Sequence, residues 1–245
     1  MERIIPCQRS VIVAADVLTL TDLSELAAAL KDLPGIGGFK LGFTTGLQDL
    51  QRAVKIVRTH LGWELPIIYD HQKAGTDIPE TGAGFAEVLK AAGVNAAILF
   101  PFAGPVTQEV WTRDCLDAGL QVITGGIMTH KQFLVSEGGY IADEAVRRIY
   151  RNACYFGCRH FVVPGTKLEW VKGIRSLLTA ELHGEDFVLY APGFITQGGD
   201  ISECGKAAGE EWHAIVGRNI YEKPTRAARR EAAIAVTSQI ARTPA

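Results

Sequence analysis

Two segments of the chain concentrate side chains able to do chemistry. The first, Asp70-His-Gln-Lys73-Ala-Gly-Thr-Asp77-Ile-Pro, puts two carboxylates and a lysine within eight residues, directly after the apolar run Leu65-Pro-Ile-Ile-Tyr69. Three charges beside Ile78-Pro79 are costly to desolvate singly and persist in a pocket when they pair with one another. An alternating Lys–Asp array holds each lysine protonated and each carboxylate ionised. The competing reading is a solvated loop whose charges do nothing. The second segment, Pro192-Gly-Phe-Ile-Thr-Gln197-Gly-Gly-Asp200, is a glycine-rich turn directly after Phe187-Val-Leu-Tyr190. Gly193, Gly198 and Gly199 let backbone N–H groups come close to an anion, and Gln197 adds a side-chain donor. Further on, Gly217-Arg218 supplies a guanidinium fork for phosphate oxygens. The combination suggests a charged reaction centre beside a phosphate cradle.

Such groups need rigid elements to hold them. Near-continuous apolar runs predict strands at Val11–Ala15, Gly38–Leu41, Pro66–Tyr69, Ala96–Phe100, Gln121–Thr124, His160–Val163, Phe187–Tyr190 and Ala214–Val216. Amphipathic stretches lie between them. Asp22–Lys31 follows Thr21, a candidate N-cap, and spaces leucines at 23, 26 and 30. In Leu47–His60, the residues Leu47, Leu50, Val54 and Val57 form one stripe; Ala145–Phe156, Leu168–Leu182 and Thr225–Ile240 read the same way. Eight strand–helix units in this length predict a (β/α)8 barrel, one domain over residues 1–245, with a doubly wound open sheet as the runner-up. In a barrel the residues just past the carboxyl ends of strands face the site. Here they are Asp16, Lys40, Asp70 with Lys73, Thr129 with His130, Gln197, and Gly217 with Arg218. Taken alone, Lys40 also reads as a snorkelling lysine and Asp16 as a helix N-cap or turn former.

Composition narrows the classes. The chain has 245 residues, 47% hydrophobic and 21% charged, with a formal net charge of −2 and no block of like charge. That argues against a nucleic-acid surface and gives no reason to invoke an anionic membrane. The five cysteines, Cys7, Cys115, Cys154, Cys158 and Cys204, follow no export signal, so reduced thiols in a cytoplasm are expected. His71 and His130 lack a third ligand at useful spacing, and no metal site is expected. Gly138-Gly139 reads as a loop without chemistry of its own.

From Val11-Ile-Val-Ala-Ala-Asp16 to Val216-Gly-Arg218-Asn-Ile-Tyr221 the chain resembles the orotidine 5′-phosphate decarboxylase family. Asp16 matches the family's aspartate after the first strand, and Lys40 its lysine after the second. The Asp-x-Lys-x-x-Asp-Ile-Pro core is echoed by Asp70, Lys73 and Asp77-Ile78-Pro79-Glu80-Thr81. The family's Met-Ser-His appears as Met128-Thr129-His130, its phosphate turn as Pro192-Gly193…Gln197-Gly198-Gly199-Asp200, and its Val-Gly-Arg as Val216-Gly217-Arg218. One departure is plain: the lysine stands three residues after the first aspartate rather than two, and the second aspartate seven on rather than five. Because i and i+3 do not share a strand face, a bulge or tight turn must absorb the extra residues if Asp70 and Lys73 are to point together.

The resemblance implies cofactor-independent decarboxylation of orotidine 5′-monophosphate to UMP and carbon dioxide, in pyrimidine biosynthesis. It implies catalytic roles for Lys40, Asp70, Lys73 and Asp77. Substrate contacts would come from Asp16 at the ribose, Thr129 at the pyrimidine, and Pro192, Gln197, Gly217 and Arg218 at the phosphate. It also implies a homodimer in which Asp77 and Thr81 reach the neighbouring subunit's site. Two other readings stay open on the residues: a magnesium-dependent sugar-phosphate decarboxylase or aldolase of the same superfamily, and a phosphate-ligand-binding barrel without catalysis.

Overall fold

The structure is a computed structural model that describes residues 2–71, 77–195 and 197–242. Eight parallel strands close into a barrel in sequence order: β1 (Arg9–Ala15), β2 (Ile36–Gly42), β3 (Ile67–Asp70), β4 (Ala96–Leu99), β5 (Gln121–Gly125), β6 (His160–Val162), β7 (Val188–Pro192) and β8 (Trp212–Val216), with β8 pairing back onto β1. The barrel is the expected fold, and each strand falls on its expected apolar run.

The helices are α1 (Leu20–Ala29), α2 (Phe43–Leu61), α3 (Gly82–Ala92), α4 (Pro105–Asp117), α5 (Asp143–Tyr155), α6 (Leu168–Glu181), α7 (Ile201–Ala208), the short α8 (Arg218–Tyr221) and α9 (Arg226–Arg242). Two details depart from the sequence expectation. The N-cap of α1 is Thr19, not Thr21: its extended backbone leaves the hydroxyl to accept from the Asp22 amide at 3.0 Å and donate to the Asp22 carboxylate at 2.7 Å. The reciprocal bond starts the helix two residues earlier while leaving Leu23, Leu26 and Leu30 buried as expected. In α2 the stripe breaks. Asp49 leaves the helical conformation (φ −175°, ψ 95°) and its carboxylate accepts from the Arg52 amide at 2.9 Å, so it restarts the helix as an internal cap. Val54 and Val57 after that kink are buried, whereas Leu47 before it is 77% exposed.

Strand parity separates two apolar layers. Val11, Val13, Phe39, Leu41, Ile67, Leu99 and Trp212 point outward and pack under the helices. Ile12, Ala14, Ile68, Ile98, Ile123, Val162 and Ile215 point inward and fill the barrel. Ile5 closes the amino-terminal end of the barrel. Gly37 and Gly38 make room there, since a Cβ on Gly37 would lie 2.1 Å from the Ser10 hydroxyl and 2.9 Å from Ile5. Beside this plug a polar set is buried: Ser10 Oγ lies 2.8 Å from His213 Nδ1, Tyr190 Oη lies 3.1 Å from His160 Nδ1, and His160 Nε2 lies 3.0 Å from the Glu2 carbonyl. The opposite end is left open for the site.

Candidate active site

Lys40 lies in register with Ala14 of β1 and Ile68 of β3, both inward-facing residues, so its side chain enters the barrel. Asp70, the last residue of β3, is level with inward-facing Ile98. Parity and register therefore bring the two charges together inside an apolar barrel. Lys40 Nζ lies 2.7 Å from Asp70 Oδ2 and 3.2 Å from Asp16 Oδ1, with Lys40 and Asp70 each only 4% exposed. Burial pulls the Lys40 pKa down, but the nearby Asp70 and Asp16 carboxylates outweigh it and hold the ammonium charged well above its ordinary range. Asp16 sits just past β1 at the mouth, its side chain partly in solvent.

These groups form one wall of a cleft with about 800 Å³ of empty space, its open mouth included. Ile98, Phe100, Ile127, Met128, Val162 and Ile215 make an apolar floor, and Thr129 lines the cleft beside them. The lining continues through Pro192, Gly193 and Gln197 after β7 and through Gly217, Arg218 and Tyr221 after β8, the strand that pairs with β1. Among the described residues Arg218 has no ion-pair partner, so its guanidinium is available to an anion.

The glycine-rich turn folds on itself. The Gly199 amide donates to the Gly193 carbonyl at 3.1 Å, the Gly198 amide to Ile195 at 3.1 Å, and the Ile195 amide to Gly199 at 3.0 Å. The amides of Gly198 and Gly199 thus shape the turn itself. Gly193 is required at its place: φ is +106°, and a Cβ would lie 2.9 Å from the Thr166 methyl and 3.1 Å from the Thr129 methyl. The turn ends at Asp200, which caps α7 by accepting from the Glu203 amide at 2.9 Å.

The structure therefore gathers Asp16, Lys40, Asp70, Thr129, Pro192, Gln197, Gly217 and Arg218 around one cleft. Lys73 lies outside the described residues. Asp77 and Thr81 do not line this cleft. Both are exposed and pinned along α4: the Asp77 carbonyl accepts from Thr107 at 3.1 Å, and the Ile78 carbonyl accepts from Trp111 at 3.1 Å and from Thr81 at 2.8 Å. His71 bonds Tyr69 Oη at 2.9 Å, and His130 packs edge-on to Phe133. Among the described residues no three His, Cys, Asp or Glu side chains gather as metal ligands would. Sequence reasoning did not single out Phe100 and Tyr221 as cleft residues. Phe100 stood at a strand end, where position alone could have marked it. Its ring fills the space that a side chain on Gly125 would take, with a Cβ there 2.2 Å away.

Solved structures of the same shape exist. Orotidine 5′-monophosphate decarboxylase from Methanocaldococcus jannaschii, complexed with the inhibitor BMP, superposes with a TM-score of 0.79 at 20% identity, covering 95% of this chain and 99% of that one. Orotidine 5′-phosphate decarboxylase from Pyrococcus horikoshii OT3 gives 0.72 at 27% identity, covering 94% and 99%. The Sulfolobus solfataricus orotidine 5′-monophosphate decarboxylase gives 0.68 at 21%, covering 95% and 99%. A sequence model described as orotidine 5′-phosphate decarboxylase / HUMPS family matches residues 9–233. With that match spanning nearly the whole barrel, the chain belongs to the orotidine 5′-phosphate decarboxylase / HUMPS family.

Proposed function

We propose that this chain is a carboxy-lyase that decarboxylates orotidine 5′-monophosphate to UMP and carbon dioxide in pyrimidine biosynthesis. The observation that carries the residue-level reading is the buried Lys40–Asp70 pair, lining the same cleft as the glycine-rich turn and Arg218, which has no ion-pair partner among the described residues. The pyrimidine lies over the apolar floor with Thr129 at its polar edge, and Asp16 meets the ribose. The phosphate lies against Gln197 and Arg218. Asp70 faces the substrate carboxylate, held in place by Lys40 at 2.7 Å. Two like charges held together favour loss of the one that can leave. The C6–carboxylate bond breaks, carbon dioxide departs, and the electron pair stays on C6. Lys73 stabilises that charge as an ammonium and delivers its proton to C6. The gain is electrostatic and arranged before the reaction, and no cofactor enters this scheme. Phosphate binding remote from C6 supplies energy that can be used at the reacting carbon.

Asp77 and Thr81 act in trans in this reading, within a homodimer. Their exposure away from their own chain's cleft supports it. So does the apolar surface of Leu18, Phe43 and Leu47 near the mouth, where Gln48 Nε2 donates to the Leu18 carbonyl at 2.7 Å. A cytoplasmic setting fits five cysteines that are all unpaired. Among the described residues no helix is long and apolar enough to cross a membrane.

The test is the fall in ultraviolet absorbance of orotidine 5′-monophosphate with EDTA-treated protein. Rapid loss is expected, and Lys73→Ala should abolish it while still binding UMP. Neither turnover nor UMP binding would sink the proposal in favour of magnesium-dependent sugar-phosphate chemistry. UMP binding without turnover would mean a binding barrel, and normal rates in Lys73→Ala would remove that residue as proton donor.

A further inference from the structure

The loop between β5 and α5, residues 126–142, carries Met128 and Thr129 into the cleft. Beyond them it folds back on itself. The Val135 amide donates to Ile141 at 2.8 Å, Ile141 to Phe133 at 3.1 Å, and Gly139 to Leu134 at 2.7 Å. Asp143 fastens its far end by accepting from the Ser136 amide at 3.2 Å and from its hydroxyl at 2.5 Å. Glu137 turns inward. One carboxylate oxygen accepts from the Phe133 amide at 3.2 Å, and the other from Lys167 Nζ at 2.5 Å.

Lys167 belongs to a different loop, the one between β6 and α6, which touches the phosphate wall. The Gly165 amide donates to the Pro192 carbonyl at 3.0 Å, and Thr166 Oγ1 donates to the Thr129 carbonyl at 3.4 Å. The missing side chain of Gly193 is what lets Thr166 and Thr129 meet the turn. Three loops converge there, two of them bearing opposite ends of the proposed substrate site. Among the described residues Glu137–Lys167 is the ion pair that ties the first to the second. Both side chains are largely covered, at 28% and 17% exposure, and neither lines the cleft.

We propose that the Glu137–Lys167 ion pair is a latch that holds the pyrimidine-side loop against the phosphate-side loops. Both are positioning residues that touch no substrate. The inference rests on the nucleotide reading of the cleft. A chain of contacts with a discrete ionic joint can couple two ends of a site. Cutting the joint frees the Thr129 loop to sample geometries in which base and phosphate are not gripped together.

The experiment compares wild type with Lys167→Met, Glu137→Gln, the double variant and Lys167→Arg. In ligand-free protein, backbone amides of residues 128–137 are expected to exchange about tenfold faster in both singles and at the wild-type rate in Lys167→Arg. For orotidine 5′-monophosphate, kcat/KM should fall about tenfold in each single, chiefly through KM, with the double no worse than either. Unchanged exchange, or faster exchange with unchanged KM, would overturn the latch, as would additive losses in the double. Exchange does not depend on the substrate. Faster exchange in a protein whose wild type turns over no orotidine 5′-monophosphate would therefore remove the assigned reaction and keep the loop tether. Wild-type turnover with variants unchanged in both readouts would remove the latch alone.

Discussion

Replacing Asp70 with asparagine should destabilise the protein and reverse the way Lys40 responds to pH. At 2.7 Å and an effective dielectric near 20, the Lys40–Asp70 attraction is about 6 kcal/mol before desolvation is subtracted. Removing one partner of a buried pair typically costs about 3–5 kcal/mol, because the surviving charge stays out of water. Asp16 remains 3.2 Å from Lys40 but stands half in solvent, so it offsets part of the loss and the lower figure, about 3 kcal/mol, is expected. For a chain of this size that lowers Tm by about 6–12 °C. Asp16→Asn removes only the more exposed partner and should cost about 1 kcal/mol or less.

The pH dependence has a definite sign. In the wild type the folded pKa of Lys40 is raised. Its stabilisation is fully present below the unfolded lysine pKa of about 10.4 and is lost as pH rises through the folded value. In Asp70→Asn, Asp16 is the carboxylate left to oppose burial among the described residues, and the folded pKa falls below the unfolded one. The buried ammonium then costs stability at neutral pH, and that cost shrinks as pH rises through the lowered pKa. Urea unfolding followed by circular dichroism should show the gap between wild type and variant narrowing from about pH 7 to pH 10. A Tm within about 2 °C of wild type, or a gap that widens with pH, would refute the argument.

Three further outcomes follow from the same geometry. Arg218→Ala should weaken UMP binding by about 10- to 100-fold, as expected for a lost charge-assisted hydrogen bond, and leave phosphate-free uridine unaffected in the same calorimetric titration. Gly193→Ala must hold a side chain at φ +106° and press it against Thr166 and Thr129; a stability loss of about 1–3 kcal/mol by chemical unfolding and weaker UMP binding are expected. At the barrel floor, burial lowers the pKa of His160 to about 4 and that of His213 to about 3. Both sit below the unfolded value, so their stabilisation is present above about pH 6.5 and is lost as pH falls through the folded values. His213→Gln should flatten that acid limb in unfolding titrations between pH 7 and pH 4.

The barrel was legible in the residues because each strand is covered on both faces and so must be a short, nearly unbroken apolar run. The roles of Lys40, Asp70 and Arg218 as strand-end residues followed once the alternation of elements pointed to a barrel. Local chemistry misled at two places. Thr19 rather than Thr21 caps α1, because Asp22 answers its hydroxyl, and Leu47 leaves its stripe, because Asp49 restarts α2. The spacing of Asp70, Lys73 and Asp77 suggested one cluster, yet Asp77 lies along α4 and outside its own chain's cleft.

What the sequence by itself determined is the set of elements and the chemical types at their ends, since both are carried by neighbours in the chain. Only the tertiary structure decided which charges meet. Lys40 reaches Asp70 and Asp16 because three strands align in register, and Glu137 reaches Lys167 because two loops converge over the same barrel end. Such pairings depend on distances across the closed sheet, which no local pattern of residues encodes.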